Sequence, residues 1–238
     1  MAINTQYRTQ ETEIMDDFSL QGEELRSALD QIATINQFLG GNKLTLEGVK
    51  KLLKNTDVSK TIVIADIGCG NGDMLRMIAR YGQKNNINFK LIGIDANAFT
   101  INHARILSNN FKNIEYECID IFSEEFKSIP YDIVLCTLTL HHFTNEEIIN
   151  IITIFNKNAT MGIVINDLHR SKLAYRLFEL ICFVFNLNNM GRKDGLVSIL
   201  RGFKKRELEA FSEKINLKND TINWKWAFRY QWIIAKKY

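Results

Sequence analysis

Proline is almost missing from this chain: Pro130 is the only one in 238 residues. A proline-rich linker is excluded, and neither internal repeats nor low-complexity tracts are present. The four cysteines, Cys69, Cys118, Cys136 and Cys182, are scattered. No C-x-x-C pair or Cys/His cluster suggests zinc, so reduced, mostly buried thiols are expected. No apolar run is long enough to cross a bilayer free of charge, and the first residues form no basic-plus-apolar signal, so the expected compartment is the cytoplasm. Net charge is small, +3, but unevenly spread. Residues 192–238 carry 12 Lys/Arg against 5 Asp/Glu, a net of +7, which leaves −4 for the rest. A solvated basic face explains this more economically than nucleic acid, although a basic end also suits an anionic ligand, RNA or a membrane surface.

What is present points to one domain with 46% apolar and 24% charged residues, large enough to enclose a ligand pocket. Apolar runs predict strands near 61–67, 88–95, 113–119, 131–137 and 161–166, with helices near 72–83, 98–109 and 144–156. Alternation of this kind implies a mostly parallel sheet with helices on both faces. Residues 1–60 read as a helical extension or cap, with Leu25, Ala28, Leu29, Ile32, Ile35 and Leu39 at helical spacing. Gly40-Gly41 reads as a stop, and a shorter helix follows near 45–54. Thr144-Asn145-Glu146-Glu147 is a capping box. At the C-terminal end Trp224, Trp226, Phe228, Tyr230 and Trp232 alternate with polar residues, a period of two that predicts a sixth and an antiparallel seventh strand joined near Ala227, the aromatic row facing one side.

The chemistry concentrates at Asp66-Ile67-Gly68-Cys69-Gly70-Asn71-Gly72, where a strand runs into a Gly-rich turn and a helix. Such a turn lets backbone approach a nucleoside, with the helix N-terminus facing it. Asp95, ending the second strand, is placed to accept the two hydroxyls of a ribose. A pyrophosphate fingerprint is excluded by spacing: the third glycine comes one residue early, and Asp66 would repel a diphosphate but attract a cationic amino-acid ligand.

These residues resemble motif I of class I S-adenosylmethionine-dependent methyltransferases, and further landmarks recur in order. The resemblance implies a Rossmann-like seven-stranded sheet, residues 61–238, with an insertion at 168–203. It also implies S-adenosylmethionine held by Asp66, Gly68, Cys69, Gly70, Asn71 and Gly72 at the methionine end, Asp95 and Ala96 at the ribose, Asp120 and Ile121 at the adenine, and Thr137 beside the methionine half. The Asn/Asp-Pro-Pro-Tyr/Phe motif of enzymes that methylate base amino groups is replaced by Cys136-Thr137-Leu138-Thr139. His141-His142 stands where small-molecule O- and C-methyltransferases often carry a histidine pair. An imidazole there could take the acceptor's proton, His142 being preferred. His169, after the fifth strand with Asp167 and Arg170, is the other candidate base, whereas His103 reads as exposed.

Residues 173–185 are the most apolar stretch, interrupted by Arg176 and Glu179. They suit a lid over an apolar substrate, a dimer surface, a helix resting on a membrane, or plain packing on the domain. Gly191-Arg192-Lys193-Asp194-Gly195 reads as a polar turn. Taken with Met15-Asp16-Asp17, Asn166 to Arg170 and Arg201-Gly202-Phe203, the chain resembles a bacterial subgroup found beside type III polyketide synthases. That implies a small aromatic or polyketide-like acceptor, with the protein a monomer or homodimer. An RNA methyltransferase using the basic C-terminal part, and a non-catalytic cofactor-binding subunit, remain as alternatives.

Overall fold

The computed structural model describes residues 3–54 and 56–236; the outermost ends of the expected segments, at 1–2 and 237–238, and residue 55 lie outside it. Seven strands form one sheet in the order β3-β2-β1-β4-β5-β7-β6. They are β1 (Ile62–Ile67), β2 (Phe89–Asp95), β3 (Ile114–Cys118), β4 (Ile133–Thr137), β5 (Gly162–Leu168), β6 (Asp220–Lys225) and β7 (Arg229–Ala235). The first five are parallel, and β7 runs antiparallel to both neighbours. Among the described residues nine α-helices surround them: α1 (Glu23–Phe38), α2 (Gly41–Leu53), α3 (Asp73–Asn85), α4 (Ala98–Leu107), α5 (Glu124–Lys127), α6 (Asn145–Asn158), α7 (Lys172–Val184), α8 (Asn189–Arg201) and α9 (Lys205–Ile215).

The central strands are buried on both faces, which is why they read as continuous apolar runs rather than alternating ones. Ile64, Leu91, Ile133 and Leu135 pack under α2, α3 and α4. Val134, Cys136, Ile163 and Ile165 pack under α6 and α9 on the other face. A fully buried Ile or Leu contributes about 1.5–3 kcal/mol. The expected capping box opens α6, Thr144 accepting from Glu147 N at 3.3 Å while Glu147 accepts from Thr144 N at 2.8 Å.

Four expectations are corrected. The first helix does stop before Gly40, which turns the chain with φ +78°, but the helix expected near 45–54 begins already at Gly41. The aromatic row does not share one environment: Tyr230 and Trp232 are core residues, whereas Trp224 and Trp226 are exposed at the β6–β7 hairpin. Turning the chain between Lys225 and Arg229 breaks the alternation. Residues 191–195 form no turn but lie inside α8, Asn188 capping its start by accepting from Gly191 N at 2.8 Å. His103 is buried, with Nε2 2.8 Å from Asp30 Oδ1, because α1 covers α4. Three of the four cysteines are buried and Cys118 is exposed.

Candidate active site

Parallel strands deliver their C-terminal ends to one edge of the sheet, and the loops leaving β1, β2 and β4 meet there. Gly68 and Gly72 both adopt left-handed backbone, φ +64° and +77°. A Cβ on Gly68 would lie 2.5 Å from Thr139 Cγ2, and one on Gly72 only 1.9 Å from Tyr116 Oη. The turn is therefore tight against its neighbours, and a side chain at either position would displace them. Thr139 ties the β4 loop to β1, donating to Ile67 O at 3.1 Å.

Three carboxylates converge on this turn. Asp66 is buried, and burial, then Asp73 and Asp95, push its carboxyl well above the usual range. Among the described residues the Asp66 carboxyl takes no hydrogen bond and no ion pair, so a cationic group arriving there would find it unpaired and would favour its ionised form. Asp95 accepts from Asn97 N at 3.0 Å and Gly70 N at 3.3 Å. Burial still raises its carboxyl despite those bonds.

Other expected ligand residues are placed less directly. The Cys69 side chain points into the core, where burial raises its thiol, so only its backbone faces the turn. Asn71 spends its side chain on α1 and α3: Nδ2 donates to Asp30 at 2.8 Å and Oδ1 accepts from Asp73 N at 3.1 Å. Thr137 meets Thr45 of α2, their hydroxyls 3.0 Å apart. Ala96 is half-buried, with its carbonyl 3.5 Å from Cys118 Sγ. Asp120 is exposed two residues past β3 and accepts from Phe122 N at 2.9 Å, while Ile121 is buried.

The histidine pair is built into a cluster that no local pattern announces. His141 is buried with Nδ1 2.7 Å from Asp167 Oδ1. Burial raises the Asp167 carboxyl, but the His141 contact outweighs it and holds the group below its usual value. His142, at the rim, places Nδ1 2.6 Å from Asp16 Oδ1, and its other ring nitrogen makes no hydrogen bond among the described residues. Arg201 of α8 pairs with Asp16 at 2.5 Å and donates to the carbonyls of His141 and His142. Burial of Asp16 opposes its ionisation, yet the bonds from His142 and Arg201 hold its carboxyl well below the usual range.

Glu13 and Asp16 belong to a strap, residues 3–20, that crosses this end of the sheet. Asp194 of α8 accepts from Ile14 N at 2.8 Å and Met15 N at 2.9 Å, and Ser198 donates to Glu13 at 2.6 Å. Arg8 donates to the carbonyls of His141, Phe143 and Arg201, each at 2.8 Å. Burial lifts Glu13 to about 7, against the pull of His142, Ser198 and Arg201.

His169 lies apart from the His141–His142 cluster. Its Nδ1 accepts from Trp224 Nε1 at 3.2 Å and its ring faces Phe228 and Tyr230, all on the β6–β7 hairpin. Arg170 is fully buried and paired with Glu207 at 2.6 Å, so it serves the packing of α9 rather than a pocket. Asp16, Glu13, Asp194 and Arg201 carry the arrangement around His142 and were not among the candidate site residues. The separation of 126 positions between Asp16 and His142 explains why: no spacing rule connects them.

Comparison with known proteins agrees with this geometry. Among solved structures the chain is similar to the plantazolicin methyltransferase BpumL in complex with SAH, at 17% identity and TM-score 0.62, covering 90% of this chain and 96% of that one. It is also similar to magnesium protoporphyrin IX methyltransferase from Synechocystis PCC 6803 with bound SAM, at 12% identity and TM-score 0.55, covering 86% and 84%. The CurJ carbon methyltransferase, at 15% identity and TM-score 0.59, covers 81% of this chain and is itself covered over 54% of its length. No curated protein matches the sequence. The model of a methyltransferase domain matches residues 58–232, which takes in every strand from β1 to β6 and the start of β7. With a strand order, glycine turn and strand-end carboxylates that agree with it, the chain belongs to the methyltransferase-domain family and has the class I methyltransferase fold.

Proposed function

We propose that this protein transfers a methyl group from S-adenosylmethionine to a small acceptor, aromatic or polyketide-like, at oxygen or carbon. When bound, the cofactor supplies an electrophilic methyl on a sulfonium sulfur, which the acceptor atom displaces in line. Asp66 and the 68–72 turn hold the cationic amino-acid end, Asp95 and Ala96 the ribose, and Asp120 with Ile121 the adenine. Thr137, fixed by Thr45, borders the methionine half.

The observation that carries the catalytic reading is the His142–Asp16 contact. A carboxylate at 2.6 Å from Nδ1 fixes the ring and its tautomer, which leaves the other nitrogen to accept a proton from the acceptor as it is methylated. His142 also acts electrostatically on Asp95, drawing its carboxyl down against the burial that raises it. His169 is the less supported base, because its Nδ1 is engaged by Trp224 and its ring by the hairpin. Beneath the strap, donor and acceptor are held together and water is kept out, the main source of rate in such a displacement.

RNA as acceptor draws on the basic C-terminal part, but Arg201 and Arg229 of that part are buried and unavailable to phosphates. Calorimetric titration with S-adenosylmethionine and, separately, NADH tests the donor, and labelled-methyl transfer to phenolic compounds tests the acceptor. Binding of NADH alone would overturn the reading.

A further inference from the structure

Helix α7 leaves a whole face uncovered. Leu173, Leu177, Leu180 and Val184 recur at spacings of four, three and four, which sets them in one stripe along the helix. All four are exposed, and Phe183 beside them is 84% exposed. The opposite face is spent on packing: Ala174 and Cys182 are buried, and the Phe178 ring sits where a Cβ on Gly195 of α8 would be. Phe38 extends the patch at the far end of the helix, exposed itself and 5.5 Å from Phe185. Soluble monomers rarely show so much contiguous apolar surface without a partner for it.

A second apolar element stands where α7 begins. Three residues before the helix, His169 touches Trp224 and Phe228 of the β6–β7 hairpin, and Trp224 and Trp226 are exposed there, Trp226 at 71%. Indole rings of this kind favour the boundary between lipid and water, one part apolar and one part hydrogen-bonding. The rim carries a net positive charge: Lys172 and Arg176 on α7 and Lys205 and Arg206 at the start of α9 are exposed. Arg176 pairs with Glu179 at 2.8 Å and Lys205 with Glu209 at 3.3 Å, which leaves Lys172 and Arg206 as the excess.

We infer that α7 and the β6–β7 hairpin together dock this protein on an anionic lipid surface, the leucine stripe entering the headgroup boundary and the cations meeting phosphates. Charge decides for lipid over a second copy of the chain. A two-fold interface would set these cations against their own kind, whereas an anionic bilayer attracts them. No helix among the described residues is long and apolar enough to cross a membrane, so docking is peripheral. The α7–α8 pair gives the docking a use: α8 supplies Asp194 and Arg201 to the strap while α7, packed outside it, faces the lipid. The surface stands independently of the methyl-transfer reading.

Co-sedimentation with vesicles tests this, comparing phosphatidylcholine alone with phosphatidylcholine plus phosphatidylglycerol. The expected result is partition about tenfold stronger onto the anionic vesicles, fading as salt rises. Tryptophan emission should shift to the blue on binding; Trp232 is fully buried, so the signal reports Trp224 and Trp226. The double variant Leu177→Asp/Leu180→Asp should stay in the supernatant while keeping its affinity for S-adenosylmethionine, and the milder Phe183→Ser serves if the double variant does not fold. Equal partition onto both vesicle types, or none onto either, would overturn the inference. So would light scattering that shows a dimer which falls apart in the double variant, because the stripe would then be covered by a second copy.

Discussion

Replacing Asp66 by Asn should move stability and cofactor affinity in opposite directions. The carboxyl is 3% exposed, and Asp73 and Asp95 add negative charge to the burial that already raises it. An acid whose folded pKa is raised holds more protons in the folded than in the unfolded state. Stability therefore falls as pH climbs from the unfolded value near 3.9, and the full penalty is present above the folded value. Asn has nearly the same shape and no charge, so the variant should melt higher than the native chain at pH 8, with an advantage that shrinks as pH falls toward 4. The same change removes a charge-assisted contact to the cationic end of S-adenosylmethionine, worth about 1.5–3 kcal/mol, or roughly 10- to 150-fold in Kd. Thermal melts of the free protein from pH 5 to 8, paired with calorimetric titration, read both quantities. A variant that melts lower at pH 8, or that binds the cofactor as well as the native chain, would refute the electrostatic account of this site.

Other outcomes follow from the same geometry. His142→Ala should lower turnover at least tenfold with cofactor Kd little changed, and Asp16→Asn should lower it in the same sense; full activity in His142→Ala removes it as the base. Glu13, lifted to about 7 by burial, costs stability progressively as pH rises from its ordinary 4.5 to about 7. Glu13→Gln should accordingly melt higher than the native protein above pH 7 and lose that advantage by pH 5, measured by scanning fluorimetry. Arg201→Ala strands Asp16 and two carbonyls, and should cost about 3–5 kcal/mol in urea unfolding. Gly72→Ala must find room 1.9 Å from Tyr116 Oη, so cofactor titration should show a large loss of affinity at modest change in helix content.

Much of the architecture could be read in advance because its signals are local. An apolar run, three glycines and a helical period between residues 61 and 83 describe β1, the turn and α3 without reference to anything distant. Helix α8 shows the opposite case: Gly191 and Gly195 are poor helix formers, but Asn188 caps the start and Phe178 needs the space a side chain at 195 would take, so packing overrides propensity. His103 misled for the same reason, since its polar neighbours in sequence say nothing of the Asp30 that α1 brings over it. The strap was the least legible element of all. Its contacts around His142 are to partners 126 to 193 positions away.

The strap has a temporal consequence. Asp16 reaches His142 and Arg201 from a segment that the chain makes long before either of them. On the proposed reading the imidazole is oriented only while those contacts are made, so any time the strap spends undocked is subtracted from the time in which the base is set for work.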